Sequence, residues 1–114
     1  AVGLRRALAE HLIDGRPPLE LIEPVLREVT LLGIQIEPEA QVGLAIHLQL
    51  ALSRYRAGQF VQEPDLERMR NEHRSLFRAV ERGLQLFGRW HGVAIPEAEV
   101  VPVMRYILRS AEGS

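Results

Sequence analysis

Between Val42 and Gly58 the chain reads VGLAIHLQLALSRYRAG, and no other stretch leaves it so few choices of fold. Glu37-Pro38 is a helix start, with proline in the first turn where its missing N–H is not needed, and Gly58 is a stop. The spacing predicts one helix of about five turns. Nearly every position from Val42 to Leu52 is apolar, whereas a helix lying on a surface shows one apolar stripe and a broad polar face, so this helix is expected to be largely enclosed, as a central post. At 100° per residue Gln41, Gln49, Ser53 and Arg56 share a narrow polar edge, while Gly43, His47, Leu50 and Arg54 form a separate stripe. His47 thus has a small residue one turn before it and an arginine two turns after it, an arrangement that suits a histidine meeting an anion.

The flanking segments repeat the helical pattern. Apolar residues recur at helical spacing from Val2 to about Asp14, and Asp14-Gly15-Arg16-Pro17-Pro18 stops them. A second helix is expected from about Pro18 to Leu32, with Leu19, Ile22, Leu26, Val29 and Leu32 inward and Pro24 marking a kink or a later start; Gly33 ends it. After the post comes the longest connection, Gly58 to Gln62, and then Glu63-Pro64-Asp65 opens a helix carrying Leu66, Met69 and His73. Ser75 is placed to cap the next run, Leu76 to Trp90, whose Phe77, Val80, Leu84, Phe87 and Trp90 fall on one face before Gly92. Ile95-Pro96-Glu97 begins a last helix to about Ser110. Ile34-Gln35-Ile36 is too short to count as a strand. The expected fold is all-α, a compact bundle of five or six helices.

Composition narrows what such a bundle does. At 114 residues it is one domain of ordinary size. The absence of cysteine removes disulfides and thiolate metal sites and fits a reducing cytoplasm, the expected location. Fourteen arginines, no lysine and fifteen acidic residues leave a formal charge of −1, so no global field draws the chain to nucleic acid or an anionic membrane. Charge interrupts every apolar run well before about 18 residues, so no membrane span is expected. Ala1 is not an initiator methionine, and the sequence reads as a piece excised from a longer protein.

Of the four histidines, His11 reads as a core-edge residue, and His73 and His91 as helix-end residues facing the carbonyl end of the dipole. His47 differs, because burying a polar ring in an apolar run costs free energy unless a partner satisfies it. Periodicity alone leaves a satisfied core histidine and a functional one as equal readings. No histidine or carboxylate stands three or four residues after His47, which argues against a metal site, and no G-x-S-x-G or glycine-rich phosphate loop occurs. Glu97 and Glu99 fall in the first turn of the last helix, where carboxylates ordinarily serve the dipole.

Two segments together carry a resemblance. VGLAIHLQLALSRYRAG, with G-L-x-x-H-L, an alanine four and an arginine seven residues after the histidine and a closing glycine, resembles the signature around the first phosphorylatable histidine of the PTS regulation domain (PRD). About 45 residues after His47, GVAIPEAEVVPVMRYIL resembles the same family's ending, in which G-x-x-I-P-x-x-E opens the last helix. The resemblance implies a single all-helical, dimer-forming module of a bacterial antiterminator or activator, reaching nucleic acid only through other domains. It implies no enzyme activity, cofactor or metal. Its histidines would accept phosphoryl groups from HPr or a sugar-specific enzyme IIB, and the added charge would change dimer packing. His47 matches the first acceptor. The family's later histidine falls at Tyr106, so the second acceptor is absent, which implies either single-site regulation or a structural dimerisation bundle that is not phosphorylated. Arg54, two turns from His47, is placed to answer a phosphoryl charge.

Overall fold

The computed structural model describes residues 19–113. The helix expected over 2–14, and His11 with it, lies outside them. A 3-10 turn, Leu19–Ile22, leads into α1 (Glu23–Thr30); α2 (Pro38–Arg56), α3 (Leu66–Glu72) and α4 (Arg74–His91) follow; and a second 3-10 turn, Glu97–Glu99, opens α5 (Val100–Gly113). There is no strand among the described residues. The all-α bundle expected from the periodicity is the fold observed.

Proline placement sets several helix starts. Pro24 stands in the first turn of α1, so of the two alternatives it is the later start and not a kink, and the preceding residues wind as a 3-10 turn. Leu19 and Leu32, expected inward, are exposed, because the 3-10 turn and the turn at Gly33 break the 3.6-residue period that would have aimed them at the core. Pro38 opens α2, where the Glu37 N–H donates to Ser110 Oγ of α5 at 3.3 Å. At the other end Gly58 takes φ +72°, which lets its own N–H reach Tyr55 O and the Gln59 N–H reach Arg54 O at 2.8 Å. These two bonds close α2 as a Schellman motif.

The core is a single cluster drawing on all five helices and the first 3-10 turn. The most extensive helix pairing is α1 on α4, beside the post and not on it. Gly83 makes that pairing close, since a Cβ there would stand 2.5 Å from Val25 Cα. Two sequence expectations about α4 are corrected. It starts at Arg74 after His73, so Ser75 is an exposed helical residue and not the cap. Trp90 is 64% exposed, because the eight residues of α1 are too short to cover all eighteen of α4 and Trp90 falls in its last turn. The post itself is enclosed on most sides, with Leu44, Ala45, Leu48, Ala51, Leu52 and Tyr55 buried. Its open side is the stripe carrying His47 and the exposed Leu50.

Candidate functional site around His47

The stripe predicted on α2 forms one wall of a pocket of about 370 Å³, lined by Gly43, Ile46, His47, Leu50, Ala51 and Arg54, with Tyr106 of α5 as the opposite wall. All three residues singled out in the sequence, His47, Arg54 and Tyr106, therefore meet at one place. The helical repeat brings the first two together. Gly43 stands against the third: a Cβ at this position would lie 3.4 Å from Tyr106 Cε1, in contact with the ring. The Tyr106 ring sits 5.4 Å from the imidazole, tilted by 52°, and the guanidinium carbon of Arg109, one turn along α5, lies 5.6 Å from the centre of the Tyr106 ring.

His47 is half-buried, and its Nε2 is closed off from solvent with no hydrogen-bond partner among the described residues. Burial pushes the imidazole below its ordinary pKa of 6.5, and the positive charge of Arg54 pushes the same way, against a smaller opposing effect of Glu99. The ring is consequently neutral at pH 7, which is the nucleophilic form. An unpartnered buried nitrogen costs stability. No group of three or more metal-ligating side chains occurs among the described residues.

A family model of the PRD domain matches residues 27–110, most of the chain and the whole of this site. The chain belongs to the PRD family. No curated protein and no solved structure matches it. A PRD is a regulatory module, tied to the sugar phosphotransferase system within larger regulators, and not a catalytic one. No helix among the described residues of this PRD is long and apolar enough to cross a membrane.

The ending G-x-x-I-P-x-x-E supplies a second polar site, which sequence reasoning missed. Glu99 does not serve a helix dipole at the surface; it is completely buried. It accepts the Tyr55 hydroxyl at 3.0 Å and the Val61 N–H at 2.7 Å. Burial and the adjacent carboxylate raise the Tyr55 phenol well above its usual range, so it stays a donor. Glu97, its supposed companion, instead pairs with Arg70. Around the same connection Arg105 holds Glu63 with two bonds, at 2.9 and 3.0 Å. The segment after α2 is thus tied down by α5. The available signal was Tyr55 itself, whose hydroxyl needed a partner once its position on the buried face of α2 was known.

His73 and His91 do not line the pocket. His73 joins α3 to α4, where its N–H reaches Met69 O at 3.0 Å. His91 ends α4 against Phe87, 4.6 Å between rings, with its pKa lowered by burial and by Arg56.

Proposed function

We propose that this PRD accepts one phosphoryl group on His47 from a phosphorylated PTS protein, HPr or an enzyme IIB, and that the modification controls dimerisation and the activity of a longer cytoplasmic transcription regulator according to sugar supply. The observation that carries the reading is the neutral, unpartnered imidazole sharing a pocket with Arg54. In the transfer the bond from phosphorus to the donor side chain breaks as a P–N bond forms at His47. The donor side chain leaves with the electron pair and takes the proton that the imidazole releases. The product adds a charge of about −1.5 to −2 and three acceptor oxygens, for which Arg54 is the nearest cationic partner on the same helix. Nucleic acid is reached through other domains of the regulator. A second reading, an unphosphorylated dimerisation bundle, is favoured by Tyr106, a residue without an acceptor nitrogen at the position to which the resemblance assigns the second acceptor, its ring packed 5.4 Å from the imidazole.

Incubation with phosphoenolpyruvate, enzyme I and HPr, with and without cognate enzyme IIB, separates the two. Intact mass under mildly alkaline conditions is expected to rise by one phosphoryl group in the wild type and by none in His47→Ala. An unchanged mass with every cognate donor would establish the structural bundle instead.

A further inference from the structure

One lining residue of the pocket comes from outside α2. Tyr106 lines the pocket with His47, its ring 5.4 Å away and set against the bare backbone of Gly43. The Nε2 of that imidazole is closed from solvent, although the ring as a whole is only half-buried. Tyr106 is itself half-buried, and its neighbour on α5, Arg109, is exposed. A tilted aromatic pair at this distance is weakly attractive, strong enough to hold a ring in place and weak enough to open.

We propose that Tyr106 is a gate over the acceptor: its ring closes the Nε2 edge of His47, and phosphoryl acceptance requires the ring to swing off Gly43. Tyr106 here positions and shields without taking part in the transfer. The inference rests on His47 accepting a phosphoryl group, and it makes a residue of α5 the regulator of an acceptor on α2.

Potassium phosphoramidate tests the gate without any protein donor. An unprotonated imidazole nitrogen attacks its phosphorus, the P–N bond of phosphoramidate breaks, and ammonia leaves with the proton that the imidazole gives up. The initial rate at each histidine is read by peptide mass mapping of the intact chain after a short exposure. Tyr106→Ala is expected to react about two- to tenfold faster at His47, the range that opening an aromatic pair converts to. Tyr106→Phe keeps the ring and is expected to match the wild type. His73 and His91, which do not line the pocket, serve as internal references and are expected to keep their rates. If Tyr106→Ala fails to fold, Tyr106→Leu retains apolar bulk without the flat ring and is expected to show the same acceleration. Equal His47 rates in all variants would overturn the gate, as would a Phe variant as fast as Ala, or an acceleration shared by His73 and His91. Should PTS donors never phosphorylate the wild type while the phosphoramidate rates still change as expected, the proposed function fails and the gate stands.

Discussion

Two ionisable side chains stand about two turns apart on α2, and the bundle treats them in opposite ways. Tyr55 is buried and satisfied, its hydroxyl held by a carboxylate that also receives a backbone N–H from the segment after the helix. His47 is half-buried, and its Nε2 is left without a partner beside a pocket. A buried polar group that has its hydrogen bonds contributes to one unique structure. One that lacks them lowers stability, and is retained only if something other than stability favours it. The contrast separates a satisfied strut from an unsatisfied site on the same helix, without reference to residue type.

The largest expected effect comes from removing the strut. Glu99→Leu strands the Tyr55 hydroxyl and the Val61 N–H, and should lower unfolding free energy by about 2–5 kcal/mol in urea titration. Its second signature is faster amide exchange between Gly58 and Gln62, because that connection loses its tie to the 3-10 turn before α5. If Glu99→Leu were as stable as the wild type, the strut would not exist and the contrast would collapse. Tyr55→Phe sharpens it by removing one bond and leaving the carboxylate in place, with an expected loss of about 1–3 kcal/mol by the same measurement. At His47 the sign reverses. His47→Leu replaces an unpartnered nitrogen with apolar surface, and stability at pH 7 should be unchanged or higher by up to about 1 kcal/mol.

The smallest effect lies in pH. The folded His47 has a pKa below 6.5, whereas in the unfolded chain it returns to the ordinary value. Between those two values the unfolded chain binds more protons, so acid favours unfolding. The stability tied to the neutral ring is complete above pH 6.5 and is lost as the pH falls through the folded pKa. Thermal melts from pH 7.5 down to 5 should show this loss, and His47→Leu should make it shallower. It should not abolish it, since His91 is displaced in the same direction by burial and Arg56.

Much of this could be read along the chain. Proline and glycine marked the ends of α2, and the period of 3.6 placed Gly43, His47, Leu50 and Arg54 on one stripe, which is the wall of the pocket. Periodicity failed where local winding changed, at Leu19 and Leu32, and where a neighbouring helix ran out, at Trp90. Capping rules placed the cap of α4 at Ser75, two residues late, because the α3–α4 junction is made by the backbone of His73 and uses no side-chain cap.

What the sequence determined by itself was therefore local: helix ends, faces, and the pairing of His47 with an arginine on its own helix. The tertiary structure alone decided the contacts between segments. Glu99 meets Tyr55 and Val61 across separations of 44 and 38 residues, and Tyr106 reaches His47 only because α5 lies along the stripe that Gly43 leaves open. A helical repeat fixes the angle of a side chain about its own axis, but which axis it faces depends on how the helices pack, and that is a property of the whole core.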